Sequence, residues 1–398
     1  MTTDELVKDA LSAVADQARL PAGMAHAAWR QRTRMRIRTA TTTAAALVAA
    51  VTVGAITVPS LIGQDDLIGQ NDREAATRVI VPSQGMSADP GHPTPRKRVA
   101  AGRSTLTAYA SCPSGGDADC SWSMLDPASG GYATTPWGWV DVAPGGRTAA
   151  VLEKPLPARR IGLLDTTAGT VRRWIDLDRA GAGSVAWSPD GQRLLVTTYD
   201  RVPALAAVPG REPDPRQART GFFIVDVDSG TATFHSLPSA PGAAGLRDDL
   251  SWDRDGSLIW EETGSAQRPR EYYDLTGRPR SGPAQESFSD QPAGLSPNGR
   301  RLARGGKSGS APFVLNVASG KTTLLEPPDG PVILQSLAWA DDTNLIAWAR
   351  DREITDGAKS RYRLVLVGVE GEQPVTPLTG WTAPSSHLEW VPAFTTES

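Results

Sequence analysis

The residues best suited to chemistry are few and scattered. The four histidines, His26, His92, His235 and His387, stand far apart. No second histidine follows any of them at helical spacing, so the paired imidazoles of a zinc hydrolase are absent. No G-x-S-x-G places a serine on a nucleophile elbow, and no G-x-x-x-x-G-K-[ST] cradles a phosphate. Asp176 with Asp178, and Asp226 with Asp228, each set two carboxylates two residues apart. Ca²⁺ takes such oxygen ligands, but the same spacing is ordinary where a strand runs into a turn, and it is read as turn chemistry. Asp190, Asp255 and Asn298 recur at one turn position and read as turn caps. Trp139, Trp187, Trp252, Trp339 and Trp390 recur at one position of a repeat and read as packing residues, not as a ring for stacking a ligand. No catalytic, cofactor-binding or metal-ligating residue is assigned, and no cofactor is expected.

Positioning elements must therefore be sought in the pattern of the chain. Of 398 residues, 39 are Gly and 32 are Pro, which demands many turns and short elements. Lys and Arg number 41 against 44 Asp and Glu, a net charge of −3, which argues against a broad nucleic-acid surface. Two cysteines are too few for a Cys-built zinc module or a disulfide-stapled miniprotein.

From Ser104 onward a strand ending in a bulky residue repeatedly enters a tight turn and a second strand. The copies run Trp139–Gly146, Val185–Gly191, Leu250–Gly256, Ala293–Gly299 and Leu337–Thr343. The turn ends at 146, 191, 256, 299 and 343, so three of the four steps are 43 to 45 residues and one is 65. A second hairpin recurs inside each copy, at Leu164–Gly169, Val225–Gly230, Tyr273–Gly277, Leu315–Gly320 and Val367–Gly371. Four strands in such a repeat make one blade of a propeller. Phe222–Val225 and Arg363–Val367 are nearly apolar on both faces, as a blade pressed between two neighbours requires. The longer step carries a Pro-rich insertion between Arg201 and Arg219, which reads as a surface loop. The last segment, His387–Pro392, resembles a first strand with no blade of its own, and Ser104–Pro136 supplies three strands that lack a first one. Joined, they complete a sixth blade and leave no bare strand edge.

The N-terminal part reads differently. Residues 1–38 carry seven basic and four acidic side chains, with Arg30, Arg32, Arg34, Arg36 and Arg38 at alternate positions. Val7, Ala10, Leu11, Val14 and Ala18 form one apolar stripe behind a Thr2/Glu5 capping box, so a short cytoplasmic amphipathic helix is expected. Residues 39–62 are uncharged; Thr41–Ile62 would span about 33 Å as a helix, enough for the ~30 Å core of a membrane. The arginines ahead of it predict the N-terminus inside and the remainder outside. A cleaved signal peptide is the rival reading, weakened by the long leader and the lack of a clean A-x-A site. Residues 63–103, with Asp89-Pro90-Gly91-His92-Pro93-Thr94-Pro95, read as a tether, and residues 104–398 as the propeller. Cys112 and Cys120 bracket the turn between the first two N-terminal strands. Across a hairpin mouth in an oxidising compartment they are expected to form a disulfide.

Trp187-Ser188-Pro189-Asp190-Gly191 and Leu295-Ser296-Pro297-Asn298-Gly299 resemble the strand-turn motif of TolB-like six-bladed β-propellers. The resemblance covers about residues 104–396, and the whole layout is similar to single-pass actinobacterial membrane proteins with an outer propeller. It implies an all-β fold, a six-bladed β-propeller ectodomain preceded by one transmembrane helix and a short cytoplasmic helical segment. The function expected is non-enzymatic: a membrane-anchored extracytoplasmic module that binds or senses a protein, peptide or glycan. Two alternatives stay open: an anti-sigma-like regulator whose N-terminal helix holds a cytoplasmic protein, and a propeller lyase or hydrolase.

Overall fold

The structure is a computed structural model that describes residues 85–396 apart from 113–119, 180, 202–218, 239–246, 264–267, 306–310, 355, 357–358 and 385–389. The cytoplasmic segment, the apolar run 39–62 and the first part of the tether lie outside the described residues. Among the described residues no helix is long and apolar enough to cross a membrane.

The tight turns impose antiparallel hairpins, and these build six sheets. Blade 1 holds Trp139–Val142, Thr148–Leu152, Arg160–Asp165 and Thr170–Asp176. Blade 2 holds Ala182–Trp187, Arg193–Tyr199, Arg219–Asp226 and Ala232–Ser236. Blade 3 holds Ser251–Trp252, Leu258–Glu262, Arg270–Asp274 and Pro279–Arg280. Blade 4 has three strands, Arg301–Arg304, Phe313–Asn316 and Thr322–Leu324. Blade 5 holds Val332–Trp339, Asn344–Arg350, Tyr362–Gly368 and Val375–Pro377. In the turns, Gly191 and Gly256 take φ of 69° and 73°, a conformation that costs a side chain free energy but leaves glycine unstrained.

Blade 6 is assembled from both ends of the chain. Trp390–Thr396 pairs with Ser104–Ser111, from Trp390 opposite Ser111 to Thr396 opposite Ser104. Ser121–Leu125 and Tyr132–Thr134 follow in order. The joined sixth blade expected from the sequence is therefore present.

Two expectations need correction. Blade 4 lacks a regular innermost strand, keeping only a Leu295–Leu302 bridge. Its inner segment is shared with blade 5: Ala293 N–H donates to Ser336 O at 3.3 Å, and Ser336 N–H donates to Gln291 Oε1 at 2.9 Å. Residues 85–103, read as the end of the tether, are packed on the ring. Met86–Ser87 pairs with Ala100–Ala101, Val99 is fully buried, and Asp89 N–H donates to Leu378 O at 2.8 Å.

A hydrogen bond links every neighbouring pair of blades. Trp139 Nε1 donates to Val185 O at 2.9 Å, Trp252 Nε1 to Ala186 O at 3.0 Å and Trp339 Nε1 to Gly294 O at 3.1 Å. Arg254 Nη1 donates to Ser296 O at 3.1 Å, Ser104 Oγ to Trp339 O at 2.8 Å and Thr395 Oγ1 to Val142 O at 3.0 Å. These six links run 1–2, 2–3, 4–5, 3–4, 5–6 and 6–1, so the ring is closed. Apolar clusters fill the seams between blades 1 and 2, 2 and 3, 4 and 5, 5 and 6, and 6 and 1. The seam between blades 3 and 4 is lined differently. There Arg270 stacks on Trp260 at 3.9 Å and donates to Gln291 O at 3.0 Å, and Glu286 is buried.

Candidate functional site

Antiparallel strands alternate in direction, so the connections sort onto opposite faces of the ring. One face collects the tight turns, at 143–147, 188–192, 253–257, 297–300 and 340–343 on the inside and 126–131, 166–169, 227–231, 275–278 and 317–321 further out. On the other lie the strand ends from which the second strand of each blade is joined to the third, at Ser111 and Ser121, Leu152 and Arg160, Tyr199 and Arg219, Glu262 and Arg270, Arg304 and Phe313, and Arg350 and Tyr362, and those from which the chain crosses to the next blade.

The tight-turn face satisfies its own polar groups. Asp190 Oδ1 accepts from Gln192 N–H at 3.0 Å, Asp255 Oδ1 from Ser257 N–H at 2.8 Å and Asn298 Oδ1 from Arg300 N–H at 2.9 Å. These are the turn caps expected from the sequence. Asp126, Asp165, Asp226, Asp274 and Asn316 cap the outer turns in the same manner. Asp226 therefore spends its carboxylate on Ser229 N–H, while Asp228 offers a backbone carbonyl to Arg173 at 2.8 Å. Asp178 faces solvent beside Arg179 at 3.7 Å. Among the described residues no three metal-ligating side chains gather.

The tryptophans divide into two sets. Trp187, Trp252 and Trp339 end the innermost strands, whereas Trp139 and Trp390 begin theirs, opposite Leu152 and Ser111. Val142, not Trp139, occupies the strand-end position in blade 1. The single repeat position read from the sequence is thus two positions. The packing role is visible: Trp390 meets Trp348 edge-on at 4.8 Å, and the indole N–H groups of four others tie blades together. His235 lies 5.2 Å from the Phe222 ring, and burial pushes its pKa down. His92 pairs with Asp89 at 2.8 Å. His26 and His387 lie outside the described residues.

Under the long-connection face, blades 2 and 3 enclose an ionic network that sequence spacing did not disclose. Arg219, with no exposed side-chain surface, reaches Asp248 Oδ2 at 2.9 Å and Glu261 Oε2 at 2.5 Å. Its Nε donates to Leu237 O at 2.9 Å, and Tyr273 donates its hydroxyl hydrogen to Glu261. Burial works against the Arg219 cation, but Asp248 and Glu261 outweigh it and raise its pKa. Beside it, Arg247 Nη1 bonds Asp249 at 3.0 Å and Gly183 O at 3.1 Å, and its guanidinium lies 4.8 Å from the Trp139 ring centre. Tyr199 donates to Asp249 at 2.8 Å and accepts from Asp248 N–H at 3.0 Å. Burial, then the charge of Asp249, raises the Tyr199 phenol well above its ordinary value. Each carboxylate here is matched to a cation or a hydroxyl, so the network fixes the loop bases instead of presenting a nucleophile. On the inner wall Asp141 accepts from Trp187 N–H at 2.7 Å, and burial pushes its carboxyl up to about 6.

Cys112 and Cys120 form a disulfide with Cα atoms 4.3 Å apart, immediately beyond the last strand pair, Ser111 and Ser121. It clips the mouth of one long-face connection, as the hairpin position led one to expect.

The closed ring of six sheets makes the chain a six-bladed β-propeller. No family model matches it, and no curated protein matches it. Among solved structures it is similar to TolB from Acinetobacter baumannii, at 17% identity over 72% of this chain and 65% of that one, with a TM-score of 0.42. It is also similar to hydrazine synthase from Kuenenia stuttgartiensis, at 11% identity over 61% of this chain and 65% of that one, with a TM-score of 0.34. The matches span just under two thirds of either structure's length. The blade count rests on this chain's own sheets and their closure.

Proposed function

We propose that this chain is a non-enzymatic binding or sensing protein, and that its long-connection face takes a protein, peptide or glycan. The observation that carries this reading is the division of labour between faces. Asp or Asn caps serve nine of the ten tight turns, all but 143–147, while the strands run out opposite into varied connections, braced between blades 2 and 3 by the Arg219 network. Loops on a fixed scaffold are where recognition usually resides. In this reading the apolar run 39–62 anchors the chain once in the cell membrane, with the propeller outside. The arginines ahead of that run support this topology, and the Cys112–Cys120 disulfide suits an oxidising compartment.

The test is a glycan and peptide array probed with the full chain in detergent. A second protein has residues 202–218 replaced by a short Gly-Ser linker, and a third carries Asp190→Ala. Saturable binding that the loop replacement abolishes and Asp190→Ala preserves is the expected result. Binding lost only with the tight-turn variant, or turnover of an array compound, would contradict the proposal.

A further inference from the structure

On the long-connection face of blade 5 two arginines lie against one indole, and among the described residues one carboxylate, Asp351, bears on both. Arg361 and Arg363 sit where the third strand leaves the connection 351–361, and Trp381 lies in the segment departing from the fourth. The Arg363 guanidinium stacks 4.0 Å from the indole centre, and that of Arg361 lies 5.8 Å from it. Asp351 is the carboxylate that serves them. Its Oδ2 pairs with Arg361 Nη2 at 2.5 Å, and its Oδ1 accepts from Glu353 N–H at 3.1 Å. The Arg363 side chain makes no hydrogen bond or ion pair among the described residues. The Nε atoms of both arginines are buried without a hydrogen-bond partner. Burial, with the neighbouring charge of Arg361, pushes the Arg363 pKa down against the pull of Asp351.

A lone arginine lying across a tryptophan is common surface packing. Here a second guanidinium shares the same ring, and among the described residues no second carboxylate pairs with either arginine. The indole beneath Arg363 restrains its guanidinium, and with Nε buried it is the two Nη groups that are left for a partner. A planar fork pairs best with a two-oxygen edge, because both N–H bonds then form without reorganisation. We infer that Arg363, Arg361 and Trp381 form an oxyanion subsite on blade 5 that receives a carboxylate or phosphate group of the ligand. The inference rests on the long-connection face being the binding face, and it adds the chemistry that one part of that face selects.

The full chain labelled with 5-fluorotryptophan gives a ¹⁹F resonance for Trp381, assigned by Trp381→Phe. Titration in low salt uses two probes, inorganic phosphate and a triglutamate peptide. The expected result is a saturable shift of the Trp381 resonance with at least one probe. Arg363→Gln should weaken that response at least tenfold, and Arg363→Lys, which keeps the charge and loses the fork, should weaken it severalfold. The other tryptophan resonances report that both variants remain folded. A response to phosphate alone or to triglutamate alone assigns the oxyanion. Absence of a saturable shift with either probe, or equal responses from Arg363→Gln and the parent, overturns the inference. An array ligand that binds while Trp381 stays unmoved would sink this subsite and leave the face reading intact. A Trp381 response in a chain that captures no array ligand would do the reverse.

Discussion

At the scale of single residues, two buried ionisable groups carry opposite predictions. Asp141 holds its proton up to about 6, against an ordinary 3.8, because its carboxyl is enclosed. A raised carboxyl pKa means that the folded chain binds more protons than the unfolded one between these values. Stability therefore falls as pH rises from about 4 to about 6, and the full cost persists above. Asp141→Asn keeps an acceptor for Trp187 N–H and removes the buried charge. It should raise stability by roughly 1–2 kcal/mol at pH 7 and change it little at pH 4, as denaturant melts at the two pH values would read. Arg219 is the converse case. Arg219→Met strands Asp248 and Glu261 without their cation, and should cost about 3–5 kcal/mol. Replacing Arg219, Asp248 and Glu261 together by apolar residues should recover much of that loss. A triple variant as unstable as the single one would show that packing, not charge, dominates the site.

Some of this was legible and some was not. Asp190, Asp255 and Asn298 could be read as caps because a turn is local and its chemistry lies within four residues. The Arg219 network joins positions 219, 248, 261 and 273, which no spacing rule brings together. Trp139 was aligned with Trp187 by residue type, when distance from the turn glycine would have placed Val142 there.

At the scale of elements, the blades differ in how they are held. The repeat betrayed the hairpins because turn glycines and prolines recur, yet blade 4 gave no warning that its inner segment hydrogen-bonds to blade 5. Residues 85–103 read as a tether because prolines break every period there. Burial of Val99 and the hydrogen bond from Asp89 N–H to Leu378 O bind them to the ring instead. The seam between blades 3 and 4 is lined by Arg270, Glu286 and Gln291, where the other five carry apolar clusters. Apolar burial is the larger source of cohesion, at about 25 cal/mol per Å². Hydrogen exchange should therefore open Arg301–Arg304 before Asn344–Arg350. Equal protection of both strands would contradict this. The disulfide is a smaller device: Cys112→Ser with Cys120→Ser should cost about 2 kcal/mol in a thermal melt without unfolding the ring.

At the scale of the whole molecule, one economy governs the rest. An open row of blades would leave two bare sheet edges, and edges invite association with other chains. Building blade 6 from both termini removes them, with Thr395 donating to Val142 O and pairing with Thr107 at 2.8 Å. The closed ring holds the strand ends of the long-connection face in place, and the proposed binding role depends on that rigidity. Introducing Ala108→Cys and Ala393→Cys, register partners across the terminal strand pair, tests the closure most directly. Oxidation followed by peptide mapping should recover one cross-linked species joining the N-terminal strand to the C-terminal one, formed in dilute monomer. Free thiols at both positions, or a cross-link found only between separate molecules, would contradict a ring latched by its own ends.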